Sequence, residues 1–379
     1  MQNTQLITHF LKSVSAMSSL PVYLYDTKQI AGHCNKIASI PYPQKSIHFA
    51  SMANSNPEFL HFVKNQGLHI FVNSLKHLQL AEEVGFAPDQ IVFTASSVDY
   101  STLDLLYGKG IRVNLDSINQ LNYWLGNYPD SLPGIRCNFD SEAIQNGRAG
   151  YFIGDKSRLG IDLSDLIDLD AKDKIGGLHL YVGTDITDIE YLMKFYTTLT
   201  KWAVHFPNIQ YLDLGGGFGV DSLHPFDFER FGANVSDLMH SFSAIMNREI
   251  ELILEPGRIV GAEAACFLAQ VVDVKERAGR QIVVLNASLS QFPRPLFYPD
   301  EAHHPVQIFS PDGNPKPVLV QRKVGIVGCS TYSRDVFAET VLAADVQPGD
   351  VVSFGNAGSY CASMFTEFLG FEKPKELFL

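Results

Sequence analysis

The sequence predicts an α/β chain: a (β/α)8 barrel followed by an antiparallel β domain. Three observations carry that expectation. Short β-branched or aromatic runs alternate with amphipathic segments up to Arg258, helical patterning then stops, and turn formers separate the runs that follow.

The alternating runs begin near Ser46 (SIHFAS), His69 (HIFVNS), Gln90 (QIVFTA), Gly110 (GIRVNLD), Gly134 (GIRCNFD), Gly176 (GGLHLYVG), Asn208 (NIQYLDLGGG) and Glu251 (ELILEPG). Eight such runs joined by helices imply parallel strands, which a closed barrel accommodates economically; an open doubly wound sheet is the alternative. Between Asp188 and Phe206, apolar residues fall at Leu192, Phe195, Tyr196, Leu199 and Trp202, the spacing of one buried helix face. Asn56-Pro57 opens another helix, with proline where its missing N–H costs nothing. After Arg258 come FLAQVVDVK, QIVVLNAS, PVQIF, PVLVQRKVGIVG and DVVSFG, separated by turns such as Pro311-Asp312-Gly313 and Pro348-Gly349-Asp350. The expected division is a barrel over 27–262 and a β domain over 263–379, the latter joined by an N-terminal segment, 1–26, that carries the strand PVYLYD.

The 379 residues are 46% hydrophobic, enough for a sizeable core. A net charge of −12 repels phosphate backbones and speaks against nucleic-acid binding. No stretch approaches the length of a membrane span, and no signal sequence opens the chain. Cys34, Cys137, Cys266, Cys329 and Cys361 are scattered and odd in number, which argues against a disulfide framework or a zinc site. A cytoplasmic protein without a structural metal is the expectation.

Barrel active sites sit at the C-terminal ends of the strands. The seventh run ends in Gly215-Gly216-Gly217, whose backbone can turn tightly and present N–H groups to an anion. The eighth ends in Glu255-Pro256-Gly257-Arg258, a carboxylate and a guanidinium near the same mouth. Alone, either reads as a tight turn or a closing ion pair. On adjacent strands they point to an anion site.

In series, the motifs PVYLYD, MANSN, GLHLYVGTDI, YLDLGGGFGV, LILEPGRIV, QFPRPLFY, SRDVFAETV and NAGSYCASMF resemble the fold-type III pyridoxal-phosphate decarboxylases, an alanine-racemase-like fold. That group includes diaminopimelate and ornithine decarboxylases, and the ending looks nearest the siderophore-assembly branch. The resemblance implies pyridoxal phosphate as cofactor, held at its phosphate by Gly215, Gly216, Gly217, Gly257, Arg258 and Thr184, with Tyr360 reaching it from the β domain. Glu255 would face the pyridine nitrogen. Arg294 would bind a substrate acid group, with a surface or interface ion pair as the alternative, and Asp335 would recognise a distal amine.

Four positions depart from the family pattern. Its AxKAN motif carries the lysine that links covalently to the cofactor; here Ala50-Ser51-Met52-Ala53-Asn54 places a thioether there. Lys45, seven residues earlier, starts the same run and would lie roughly 20 Å from the mouth. Tyr181 stands for the ring-stacking histidine, and His179 falls on the same side two residues before it. Thr331 takes the place of the interface cysteine, while Cys329 would face the same side on a regular strand. Val72 stands where an acidic residue is usual.

These departures imply a catalytically impaired or repurposed decarboxylase homologue, a homodimer by resemblance or a heterodimer with an active homologue. Two alternatives remain. One is an active or residual decarboxylase of a basic or citryl-linked amino acid; the other is a non-enzymatic anion-binding or partner-regulating protein.

Overall fold

The computed structural model describes residues 4–13, 16–139, 151–220, 225–317, 322–342 and 345–379. The chain forms two compact units: Gly32–Ile259, and Met1–Ala31 together with Val260–Leu379. In chain order the strands are β1 (Val22–Tyr25), β2 (Lys45–Ala50), β3 (His69–Val72), β4 (Ile91–Thr94), β5 (Arg112–Leu115), β6 (Gly134–Asn138), β7 (Ile161–Asp162), β8 (Gly177–His179), β9 (Tyr211–Asp213) and β10 (Glu251–Leu254). They continue with β11 (Ala265–Arg277), β12 (Arg280–Leu285), β13 (Val306–Phe309), β14 (Arg322–Val327), β15 (Val336–Leu342), β16 (Val351–Phe354) and β17 (Lys375–Phe378).

In the first unit the neighbours run β5-β4-β3-β2-β10-β9-β8-β6, and β6 pairs back onto β5, closing an eight-stranded ring. Every pairing in the ring is parallel. The eight sequence runs therefore form a closed barrel and not an open sheet. The two-residue β7 adds to β6 outside the ring. Helices follow the strands where the periodicity places them. Pro57–Asn65 starts at Asn56, whose side chain accepts the Glu58 amide. Ile189–Ala203 buries Leu192, Phe195, Tyr196 and Leu199. Trp202, expected on that face, is only half-buried; Ile189, Thr200 and Ala203 complete the face instead.

The barrel interior is set by strand alternation. The Phe49 ring packs on Phe59 of the helix outside, at 5.2 Å, so Ser46, His48 and Ala50 turn inward. Tyr211, Val92 and Ile253 form an apolar plug with Phe71 packed against it. Room for Tyr211 comes from two glycines. A Cβ at Gly177 would lie 2.1 Å from its ring, and one at Gly134 2.0 Å from its hydroxyl. That hydroxyl donates to Asn114 Oδ1 at 2.9 Å, and Asn114 Nδ2 donates to Thr94 Oγ1 at 3.0 Å and Asp213 Oδ2 at 3.2 Å.

The second unit is a curled, mainly antiparallel sheet, β13-β16-β11-β12-β14-β15, with β1 pairing β11 and β17. Only β12–β14 and β1–β17 run parallel among the described strands. Its core is aromatic: Phe267 contacts Tyr23, Phe292, Phe337 and Phe354 at centroid distances of 4.9 to 6.3 Å. The run PVLVQRKVGIVG forms strand only from Arg322; residues 318–321 lie outside the described residues.

Candidate active site

Three adjacent barrel strands deliver one polar side chain each to the same interior level. His179 ends β8, Asp213 ends β9, and Glu255 follows Leu254 at the end of β10. All three are buried, and one donor atom from each lies within 4.8 Å of the others. His179 Nε2 is 3.3 Å from Glu255 Oε2. Asp213 Oδ1 accepts the Gly215 amide at 3.0 Å.

Burial dominates their electrostatics. It pushes the Asp213 carboxyl well above the usual range, with the Glu255 charge adding to it. Burial lifts Glu255 to about 7, opposed by the hydrogen bond with Asp213 and by the Arg136 guanidinium. It lowers His179 to about 4 against the pull of Asp213. At neutral pH the imidazole is therefore neutral, and burial disfavours ionising both carboxyls together.

Arg136 comes from the inward face of β6 and is 12% exposed, its Nε 3.8 Å from Asp116 Oδ1. Burial raises Asp116 to about 6, with Arg136 opposing. Asp116 also accepts the Gly160 amide at 2.9 Å.

The glycine turn is a packing requirement. Gly215 and Gly217 have φ of 64° and 86°. A Cβ on Gly216 would lie 2.1 Å from the Glu255 carbonyl oxygen, and one on Gly217 2.0 Å from that of Gly183. Three turns nest there: the Glu255 amide donates to Gly215 O at 2.7 Å, and the Ile186 amide to Gly217 O at 2.8 Å. Gly257 is buried and Thr184 half-buried in the same turns. Arg258 is 7% exposed, and its Nη1 donates to Asp185 Oδ1 at 2.7 Å. The half-buried Tyr181 ring meets Phe152 edge-on at 5.0 Å.

Met52 follows β2 directly and is half-buried. The Ala50 amide donates to Pro256 O at 3.0 Å, so this turn lies against the one that carries Glu255 and Arg258. Ser51 Oγ meets His77 Nδ1 at 2.9 Å, on the opposite side of the chain from Ala50. Lys45 begins β2 at the far end, its ammonium on Tyr42 O at 3.1 Å.

In the β unit the Arg294 side chain is buried, its guanidinium 4.9 Å from the Tyr298 ring and 5.9 Å from that of Tyr360. It is not a surface ion pair. Two expectations are corrected. β14 ends at Val327, so Cys329 and Thr331 lie in a turn and not on a regular strand; both are exposed, and no strand alternation relates them. Asp335 organises that turn. Its Oδ1 accepts Leu289 N at 2.6 Å and Ser288 Oγ at 3.3 Å, while Oδ2 accepts Ser330 N at 3.2 Å and Ser330 Oγ at 2.5 Å. Four donors fill a carboxylate's lone-pair sites, leaving none for a substrate amine.

Asp213, Arg136, Asn114 and Asp185 were not singled out from sequence. For Arg136 a signal existed: a charged residue inside the short barrel run GIRCNFD needs a polar interior.

Residues 27–262 match the family model described as "pyridoxal-dependent decarboxylase, pyridoxal binding domain". The chain is similar to diaminopimelate decarboxylase of Methanothermobacter thermautotrophicus, 26% identical over 94% of this chain and 86% of the relative. It is similar also to that of Escherichia coli, 25% identical over 97% and 90%. Among solved structures, Helicobacter pylori diaminopimelate decarboxylase complexed with L-lysine superposes with a TM-score of 0.81 at 21% identity, over 95% and 91% of the two chains. Vibrio vulnificus lysine/ornithine decarboxylase complexed with putrescine gives 0.78 at 19%, over 100% and 98%.

Two observations fit pyridoxal phosphate in the barrel mouth. Glu255 Oε1 is buried with no hydrogen-bond partner among the described residues, as an acceptor reserved for a ring N–H would be. The amides of Gly216 and Gly217 donate to no protein acceptor among the described residues, and can face a phosphate.

Proposed function

Because this chain belongs to the pyridoxal-dependent decarboxylase family, we propose that it is a homologue of those amino-acid decarboxylases that still holds the cofactor in its barrel but cannot anchor it covalently. The observation that carries this reading is Met52. It stands in the turn directly after β2, beside the turn that carries Glu255, at the position where the family pattern has its lysine. A thioether has no nitrogen with which to condense with an aldehyde.

Bound pyridoxal phosphate supplies an electron sink for the charge left when a substrate loses carbon dioxide. This chain's residues would hold it without the covalent link. Glu255 would accept from the ring nitrogen, Tyr181 would lie against the ring, and Gly216, Gly217, Gly257, Arg258 and Thr184 would hold the phosphate. Without a lysine, the proton transfers it performs have no agent at position 52; such general acid–base help is worth about 10² to 10⁴ in rate. The reading is thus an impaired or repurposed enzyme, its ancestral substrate a basic or citryl-linked amino acid of siderophore or lysine/polyamine metabolism. The curated relatives act on diaminopimelate, which supports an amino-acid ligand.

Titration of dialysed protein with pyridoxal phosphate tests this. Saturable binding with the absorbance of the free aldehyde is expected, and borohydride should fix no cofactor to the chain. Met52→Lys should convert the bound cofactor to a reducible, covalently attached form. A reducible adduct in the unaltered protein would show that another lysine serves, and absence of binding would show that the pocket is not a cofactor site.

A further inference from the structure

Two neighbouring helices of the barrel unit, Tyr100–Gly108 and Ile118–Asn127, turn an aromatic face to solvent. The first buries Thr102, Leu103 and Leu106, and the second Gln120, Leu121 and Trp124. On the first helix Tyr100, Asp104 and Tyr107 fall at i, i+4 and i+7, one face of the helix away from the buried set. The second contributes Tyr123, and Tyr128 caps its C-terminus. Tyr100 and Tyr123 stack with ring centroids 3.9 Å and planes 2° apart; Tyr107 and Tyr128 stack at 3.7 Å and 15°. Trp124 meets Tyr107 and Tyr128 edge-on from below, at 5.7 and 5.2 Å.

Asp104 joins the two stacks. Its Oδ1 accepts the Tyr123 hydroxyl at 2.7 Å and the Tyr128 hydroxyl at 2.6 Å. Those bonds, the one from Tyr128 foremost, hold the carboxyl below its ordinary range, so it stays charged. Its Oδ2 accepts nothing among the described residues. Tyr100 and Tyr107 are 49% and 44% exposed although a partner covers one face of each ring, and Leu105 between them is 41% exposed. Clustered, exposed aromatic rings mark interaction surfaces, and rings already fixed by stacking and hydrogen bonds lose little freedom when covered.

The charge of the face is one-sided. Neither helix carries a lysine, arginine or histidine. Cations of the adjoining segments are engaged elsewhere: Lys109 pairs with Glu82 at 2.6 Å, Arg112 with Glu251 at 2.9 Å, Lys174 donates to Pro129 O at 3.0 Å, and Arg158 donates to Ser96 Oγ. Asp99 caps the first helix, and the exposed Asp130 follows the second.

We propose that this face docks an arginine-bearing segment of a partner protein, its guanidinium lying on the exposed ring of Tyr100 or Tyr107 and bonding to Asp104. Charge complementarity selects a cation. The rings select arginine over lysine, because a planar guanidinium stacks on an aromatic face and forks onto a carboxylate, which a compact ammonium does not. The face shares no residue with the barrel mouth and stands independently of the cofactor reading.

Fluorescence anisotropy of a fluorescein-labelled peptide of alternating Arg and Gly, titrated with the full-length protein at physiological salt, tests this; the same peptide with Lys for Arg is the comparison. Saturable binding is expected, tighter for the arginine peptide. The double variant Tyr100→Ala, Tyr107→Ala should weaken it about five- to thirtyfold, the worth of two exposed cation–π contacts. Tyr100→Phe with Tyr107→Phe keeps both rings and should bind within about twofold of the unaltered protein. Asp104→Asn keeps an oxygen for the two phenols but loses the charge, and should weaken binding about two- to fivefold. If the alanine variant fails to fold, the asparagine and phenylalanine variants and the two peptides decide. No saturable binding, equal binding by the alanine variant and the unaltered protein, or equal binding of the two peptides overturns the proposal. Sedimentation in which the unaltered protein self-associates and the alanine variant does not gives the face to a second copy of this chain, and also overturns it.

Discussion

The packing of Tyr211 over Gly177 gives a sharp test of the barrel interior. In Gly177→Ala the new methyl would sit 2.1 to 2.4 Å from three atoms of the Tyr211 ring. No contact that close survives, and the ring belongs to the barrel plug, so it cannot swing into solvent. Overpacking a core site costs about 1–3 kcal/mol. Displacing the ring also strains its hydroxyl bond to Asn114, worth about 1 kcal/mol. Against this stands about 0.4–1 kcal/mol from the stiffer unfolded chain. The expected loss is about 2 kcal/mol. Both tryptophans, Trp124 and Trp202, lie in the barrel unit, so their fluorescence during urea unfolding reports on that unit. A Tyr211→Leu background removes the clash, and there the same alanine should cost less than about 0.5 kcal/mol. An unchanged midpoint for Gly177→Ala, or an equal cost in both backgrounds, would refute the packing described.

Two further outcomes are expected. Asp335→Ala strips four donors of their acceptor and should destabilise the β unit by about 3 kcal/mol; amide exchange at Leu289 and Ser330 should accelerate, and unchanged exchange would mean that the carboxylate does not hold the turn. Glu255 is raised from 4.5 to about 7 in the folded chain, so between those values the native state binds more protons than the unfolded one. Its contribution is full below pH 4.5 and lost as pH rises through about 7. His179, lowered to about 4, acts in the opposite direction between pH 4 and 6.5 and masks the effect in the unaltered protein. The comparison with Glu255→Gln removes that masking. Relative to this variant the unaltered protein should lose stability from pH 4.5 to 7, and a difference that is flat or rises with pH would count against a raised Glu255.

The barrel was legible because its strands are apolar runs bounded by turn residues, and eight of them repeat with helices between. The β unit was less so. β15 (VFAETVL) has no clean alternation, and β17 (KELF) is half charged, so neither reads as a strand until β14 and β1 pair with them. In the site, Glu255 and the glycines stood out because turns have chemical signatures. Asp213 did not. A carboxyl in YLDLGGG becomes a partner of Glu255 only when β9 and β10 are neighbours in a closed ring, and neighbour relations are not written in local sequence. Asp335 failed differently: the sequence shows an acid in a family position, but the donors that engage it come from two separate turns.

A barrel that needs only to close fills its upper interior with branched aliphatic side chains. This one keeps two carboxyls, an imidazole and a guanidinium there, each nearly removed from water. Such burial costs free energy unless the groups are paired, and pairing is incomplete: Glu255 Oε1 has no partner among the described residues. A ligand donor would complete the arrangement, and on the reading proposed above a cationic N–H facing Glu255 would do so. Met52 stands in the turn after β2, and none of the hydrogen bonds described for Asp213 involves it. On the reading proposed above, recognition of a ring nitrogen and covalent capture of an aldehyde would fall to separate turns, after β10 and after β2.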